Sequence, residues 1–467
     1  MPESGRTGCL MAVFTERGKH NVNTSNQITA EAKEETQRLI DFIAQSPSCY
    51  HVVQNIGSEL QKAGYKQLSE GQDWELAESG KYYVTRNQSS LIAFQVNAAG
   101  KQGGFLICAA HSDSPTFKLK SNYEVTVENK YVKLNVEKYG GSIHSTWMDR
   151  PLSIAGRVVV STEGGVESRL VNLKKPLCVI PNLAVHMNRE INNGYAYQLQ
   201  KDMVPVMGTA GESGQLLKML AREAGVEETD ILGHDLFLYH AETGKIWGLG
   251  EEFFSSGKID DLQCVFAAKE AFLRSCNQEM VPVLAIFDNE EVGSGTKQGA
   301  KSTFLTDVLE RIQESLHLNR GKGMQQIASS MMLSADNGHA VHPNHGDKAD
   351  ATNAPVMNGG IVIKYNANQK YTTDGMAEAM LKQIWKKAQI PYQEYANRSD
   401  IAGGSTLGNL VNEKLSLNTV DIGAAQLAMH SIYETGGTAD TLYLIEGMQA
   451  FYHSRIENEA DGHYRIS

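Results

Sequence analysis

Acids and imidazoles gather at the ends of apolar runs in this sequence. VPVLAIF (281–287) leads into Asp288, Asn289, Glu290 and Glu291. GFLICAA (104–110) ends in His111-Ser112-Asp113, and ASSMMLSA (328–335) ends in Asp336. His430 follows LNTVDIG (417–423) in AAQLAMHS, and Asp260-Asp261 open a helical stretch just after Gly257-Lys258. Each has a plainer reading. An Asp before a helix is an N-cap, and Asp336-Asn337-Gly338 reads as a turn. His111 reads as a hydrogen-bonded core histidine, His430 as a helix residue without a role, and Glu290-Glu291 as a solvated loop.

Together the plainer readings fare worse. Independent caps and turns have no reason to collect at one edge of one sheet, and carboxylates packed there cannot all ionise without a compensating cation. Imidazole plus carboxylate, without thiolate, is the donor set of zinc, manganese or cobalt hydrolytic sites. Five such ligands exceed what one metal needs. Two metals about 3.5–4 Å apart, sharing one carboxylate, would use them all. One of the adjacent glutamates then holds a metal, and the other stands near the metal-bound water as general base. On an extended chain Asp113 points the same way as His111, so it can accept from the free ring nitrogen and fix the tautomer.

The elements that must position these groups are read from periodicity. ITAEAKEETQRLIDFIAQ reads as a helix stopped at Pro47. KYYVTRN, SLIAFQVN and GFLICAAH read as strands, the last apolar almost throughout, as in a sheet covered on both faces. From about 118 to 240 apolar and polar residues alternate, as in YEVTVENKYVKLNVEKYGG, which predicts half-exposed antiparallel sheet. Helices at DDLQCVFAAKEAFLRSC, TDVLERIQESL, MAEAMLKQIWKKAQ and ADTLYLIEGMQAFYHSR then alternate with strands. The expected fold is α/β, a mixed and mostly parallel sheet flanked by helices, interrupted by a β-rich insertion domain. The boundaries expected are 28–117 and 241–467 for the catalytic unit and 118–240 for the insertion. Residues 1–27 read as a mobile polar extension.

Bulk properties narrow the function classes. The chain has 467 residues, too many for one ordinary core, and a net charge of −11, which argues against nucleic acid or anionic membrane as a main partner. Its six cysteines show no CxxC spacing, which argues against a zinc ribbon or a disulfide framework. No window has the length of a spanning helix, and the N-terminus lacks a signal-peptide core, so a cytoplasmic location is expected. GGSTLGN (403–409) lacks the GK[ST] of a phosphate loop and reads as a tight turn, by the site or in packing. HAVHPNH (339–345) offers loop histidines, and no GxSxG elbow occurs.

The motifs HSDSP (111–115), KIDD (258–261), FDNEEVGS (287–294), SADNGHAVHPN (334–344) and QLAMHS (426–431), with YGGSIHSTWMDRPLSIAGRV (139–158), resemble the aspartyl aminopeptidase family in order and over nearly the whole chain after about residue 30. The resemblance implies a di-zinc aminopeptidase whose α/β catalytic domain is interrupted by a dimerisation domain, and a homo-oligomer built from dimers, commonly a dodecamer. It also implies His111 and Asp336 as ligands of one metal, Glu291 and His430 as ligands of the second, and Asp260 as the bridge. Asp113 matches the partner that orients His111, and Glu290 the general base. Where the family often has Asp-Asn, this chain has Asp260-Asp261, with Asp261 expected as a cap. His186, in NLAVHMNR, resembles a residue that reaches a neighbouring subunit's site. Lys364, Tyr371 and His342 resemble substrate-side residues, and Lys364 would favour peptides beginning with Asp or Glu. The competing expectations are a neutral or apolar preference, a related di-metal carboxypeptidase or deacylase, and a non-catalytic scaffold.

Overall fold

The computed structural model describes residues 28–77, 79–97 and 103–467, so the expected extension over 1–27 lies outside the described residues. The apolar runs form a nine-stranded sheet. At its middle four strands lie side by side and parallel: Val281–Phe287, Phe105–His111, Met331–Ala335 and Asn418–Gly423. Ser90–Val96 joins one side antiparallel and Ile361–Tyr365 the other. The sheet is therefore mixed and mostly parallel, as expected.

Alternation along these strands explains their apolar character. Leu106, Cys108 and Ala110 face one core, and Phe105, Ile107 and Ala109 face the other. The first core is closed by helices Ala30–Gln45, Cys49–Lys62, Ile259–Arg274, Gly375–Ala388 and Asp440–Tyr452. Phe304–Ser315 and Leu407–Asn412 close the second. With both faces covered, only the strand ends are open to a ligand.

A second sheet has six strands, all antiparallel and all drawn from residues 116–240. It buries its own core, including Phe117, Leu134, Trp147 and Ile154. A third, five-stranded sheet joins Lys245–Trp247, Phe253–Ser256, Glu434–Gly437, Ala425–Leu427 and Gly338–His339 in that order. It carries the chain to the strand ends of the large sheet.

Several elements depart from the sequence reading. Cys49–Lys62 is a helix that Pro47 masked, although Val52, Val53, Ile56 and Leu60 have helical spacing and are buried. Gln215–Ala224 is a helix inside the β-rich segment, with Leu216 and Leu220 in that unit's core. Helix Arg320–Ala328 takes the first residue of ASSMMLSA, and the strand begins at Met331. The chain ends in a hairpin, Ile456–Ala460 with His463–Ile466, after the helix expected to close it.

Candidate metal centre

The large sheet brings its chemistry together by register. Phe287 and His111 lie opposite each other on adjacent parallel strands, and Ser112 N–H donates to Phe287 O at 2.8 Å. Asp336 leaves the next strand with its N–H on Ile422 O at 2.9 Å. Asn289 turns the chain with φ 63°, and the short 3-10 segment Glu290–Val292 follows. This turn aims two N–H groups at one carboxylate: Glu290 N–H donates to Asp113 Oδ1 at 3.1 Å and Glu291 N–H to Asp113 Oδ2 at 3.2 Å.

Asp260 stands between two clusters of metal-ligand type. His111, Asp260, Asp261 and Asp336 place ligand atoms within 4.8 Å of one another, and so do Asp260, Glu291 and His430. A third such group joins His111, Glu290 and Glu291. Asp260 Oδ1 is 3.5 Å from His111 Nε2, and Asp260 Oδ2 is 3.3 Å from His430 Nε2, which is also 3.3 Å from Glu291 Oε2. One carboxylate thus offers one oxygen to each side. His111 turns Nδ1 toward Asp113, 3.1 Å from its carbonyl and 3.3 Å from Oδ1, so Nε2 faces the cluster. At these distances Asp113 can accept from the free ring nitrogen.

Burial makes this arrangement costly on its own. Asp260 Oδ1, Asp261 Oδ1 and Glu291 Oε1 are buried with no hydrogen-bond partner among the described residues. Burial pushes Glu290 up to about 8 and Glu291 up to about 7. It raises Asp336 as well, against the pull of Lys364. Burial opposes charge on both histidines, but Asp261, Asp113 and Asp260 raise His111, and Asp260 and Glu291 lift His430 to about 11. Asp260 is held below the usual carboxylate range because His111 and His430 outweigh its burial. Several kcal/mol per buried ion is the usual cost of such a site, and cations at its centre would offset it. Orphaned carboxylate oxygens, Nε2 atoms facing them and clusters without thiolate among the described residues fit divalent ions of the zinc class.

Two expectations are corrected here. Asp261 is not an exposed cap. It is 0% exposed, and its Oδ2 accepts the N–H of His111 at 3.1 Å. No side-chain cap bond is made at the start of this helix among the described residues, and Asp260 and Asp261 have non-helical backbone angles and a cis peptide between them. His430 is not a helix residue: it sits between strands Ala425–Leu427 and Glu434–Gly437 with φ 66°.

Lys364 and Tyr371 lie beside the first cluster. Lys364 is 1% exposed, with Nζ 3.8 Å from Asp336, donating to Asn337 O at 3.2 Å and 5.1 Å from the Tyr371 ring. It is therefore not a solvated surface lysine. His186 and His342 are exposed and belong to none of the clusters. The glycine-rich loop packs on Asp421, which accepts from Thr406 Oγ1, and a Cβ at Gly408 would meet Thr372 at 2.3 Å.

Sequence reasoning missed two supporting side chains. Glu434 accepts the N–H of Asp260 at 3.0 Å and of His430 at 2.7 Å. Tyr139 donates its hydroxyl to Asp113 Oδ2 at 2.7 Å and accepts from Asn289 Nδ2 at 2.8 Å. Tyr139 lay within a quoted motif, but Glu434 stood in no recognisable pattern. Neither spacing nor type announces a residue that acts through backbone amides.

Comparison with known proteins places the chain in a family. The family described as aminopeptidase I zinc metalloprotease (M18) matches residues 42–452. A relative from Clostridium acetobutylicum, named probable M18 family aminopeptidase 2, is 46% identical over 423 residues, covering 89% of this chain and 98% of the relative. One from Pseudomonas aeruginosa with the same name is 39% identical over 426 residues, covering 90% and 98%. Among solved structures, the chain matches one from the Ape4 and Nbr1 complex with TM-score 0.88 and 35% identity, over 92% of this chain and 87% of that one. It matches the S. cerevisiae mApe1 dodecamer with TM-score 0.79 and 28% identity, over 90% and 97%.

Proposed function

The chain belongs to the M18 family of zinc metallo-aminopeptidases, and from that premise we propose that it removes N-terminal residues, Asp and Glu by preference, from peptides at a two-metal site. The observation that carries this reading is the sharing of Asp260 between His111 on one side and His430 with Glu291 on the other. His111, Asp260 and Asp336 would hold one ion, and Asp260, Glu291 and His430 the other. Bound divalent ions supply Lewis acidity toward a water and the scissile carbonyl.

Glu290 is the general base. Its carboxyl belongs to the cluster with His111 and Glu291 but is not needed to complete either ligand set. Burial raises its proton affinity, which suits a group that takes a proton from the attacking water and returns it to the leaving amine. Asp113 fixes the Glu290 backbone through its N–H and orients His111. The free α-amine of the substrate would be held by a site carboxylate, which restricts cleavage to the terminus.

The Asp/Glu preference rests on Lys364, the buried cation nearest Asp336. With Asp336 engaged by an ion, the ammonium would be left to pair with an acidic side chain. The second reading is a neutral preference, favoured by the 1% exposure of Lys364, which leaves a substrate carboxylate little access. We further propose a homo-oligomer joined through the residue 116–240 unit, with His186 completing a neighbour's site. The similar mApe1 structure is a dodecamer, and Leu183, Val185 and Met187 beside His186 are exposed apolar residues. Among the described residues no helix is long and apolar enough to cross a membrane.

The deciding experiment is hydrolysis of Asp-, Glu-, Leu- and Ala-aminoacyl substrates by chelated protein, with zinc, manganese or cobalt restored separately. Asp and Glu turnover that returns with metal supports the full reading. Fast Leu or Ala turnover keeps the aminopeptidase chemistry and removes the acidic preference. Silence on all four overturns the proposal in favour of a deacylase or scaffold.

A further inference from the structure

The second metal's ligands are gripped by a segment that does not belong to their own fold unit. Residues 139–146 leave strand Tyr131–Tyr139 of the six-stranded sheet and return to it at Trp147, which is buried against Phe117 with ring centroids 5.2 Å apart. One end is held by strand pairing, Tyr139 opposite Thr116, and the other is buried in that sheet's core at Trp147. Its middle lies on the catalytic unit.

The contacts fall on Glu291 and His430. Gly140 has φ +72°, and a Cβ there would stand 3.1 Å from Glu291 Cβ and 3.4 Å from its carbonyl oxygen. Only glycine allows both the turn and this approach. Gly141 follows against the imidazole, its would-be Cβ 3.8 Å from His430 Nδ1. Ile143 N–H donates to His430 O at 3.0 Å, and Thr146 Oγ1 accepts the N–H of Ile432 at 3.1 Å. Tyr139 acts one step removed, through Asp113, on both the N–H of Glu291 and the imidazole of His111, so it does not distinguish the two centres. The grip is reciprocal: Ile432, two residues beyond His430, is 4% exposed and packs in the core of the six-stranded unit.

We propose that residues 139–146 are the positioning strap of the second metal centre, so that seating of the inserted unit sets how tightly that centre holds its ion. His111 and Asp336 of the first centre hang on the parallel strands of the large sheet. They receive none of the strap's direct contacts described above. Loosening the contacts made by Gly140, Gly141, Ile143 and Thr146 therefore weakens one site selectively. This rests on the two-metal reading.

The test is zinc binding by the full-length chain, followed by equilibrium dialysis against a competing chelator with elemental analysis. Wild type, Thr146→Val, Gly140→Ala and His430→Ala are compared. His430→Ala identifies the second equivalent by losing it. The expected result is that strap variants bind this equivalent at least about tenfold more weakly, as loss of a supporting contact to a metal ligand does, with the first equivalent unchanged. Thr146→Val removes the hydroxyl that accepts the N–H of Ile432 and carries the test if Gly140→Ala fails to fold. Two equivalents of unaltered affinity in Thr146→Val, even with a lowered melting temperature, overturns the strap alone. Fewer than two equivalents in wild type, or two in His430→Ala, overturns the two-metal reading and the strap with it.

Discussion

The carboxylate of Glu434 accepts the backbone N–H of Asp260 at 3.0 Å. Its other oxygen accepts the N–H of His430 at 2.7 Å and lies 3.3 Å from Gln426 Nε2. One buried side chain therefore fixes the spacing between the shared carboxylate and the second imidazole. A glutamine keeps one acceptor and turns an amide N–H₂ toward a backbone donor. Glu434→Gln is expected to weaken zinc binding about 10- to 100-fold, read by chelator competition. Unchanged affinity would remove Glu434 from the site's support.

Glu290→Gln is expected to lower kcat by roughly 10²–10⁴-fold, the usual contribution of a general base, while both zinc equivalents remain bound. Elemental analysis alongside initial rates separates this from loss of metal. Substantial residual turnover would assign the proton transfer elsewhere.

Lys364→Met keeps the aliphatic bulk in a buried position and removes the charge beside Asp336. The ratio of kcat/KM for Asp over Leu substrates is expected to fall by about tenfold or more, the scale of one lost charged contact. A fall in both substrates together, with a lower melting temperature, would make Lys364 a structural partner of Asp336 only.

If His186 completes a neighbour's site, chains of His186→Ala and of Glu290→Gln should complement each other. In a mixed oligomer, an intact Glu290 on one chain meets an intact His186 on the next. Activity after co-refolding should exceed that of either variant alone. Equal inactivity of mixture and parents would place His186 in its own subunit's site, and full activity of His186→Ala alone would place it outside the chemistry.

Acid stability has a separate source. Glu270 lies among Lys269, Arg38 and Arg274. Burial pushes its carboxyl up, but Lys269 and then Arg38 pull it down to about 2. The folded value lies below the unfolded one, so the stability it contributes is present above the ordinary carboxylate range. That stability is lost as pH falls toward about 2. Glu270→Gln should melt below wild type at neutral pH, and the gap should close between about pH 5 and pH 2. A pH-independent gap would assign the loss to packing.

Much of the site was legible because the motifs sit where strands end. The apolar runs before His111, Glu290 and Asp336 announced buried strands, and acids at their ends announced a ligand edge. His430 was legible only as a residue following a strand. Asp261 misled because an Asp before a helix ordinarily caps it, whereas here its buried carboxylate accepts the N–H of His111 instead. The helix Cys49–Lys62 was hidden by the proline just before it.

The sequence by itself determined the two-faced apolar strands, the alternating segment over 118–240 and the identity of the acids and imidazoles, since periodicity and residue type are local properties. The tertiary structure alone decided which atoms meet. Strand register set Phe287 opposite His111, the backbone turn at Asn289 delivered two N–H groups to Asp113, and the fold carried Glu434 onto Asp260 and Gly140 onto Glu291 from distant parts of the chain, with Tyr139 reaching Asp113 from 26 positions away. Those contacts depend on how separate elements pack, and packing is set by the whole core at once rather than by any stretch of chain.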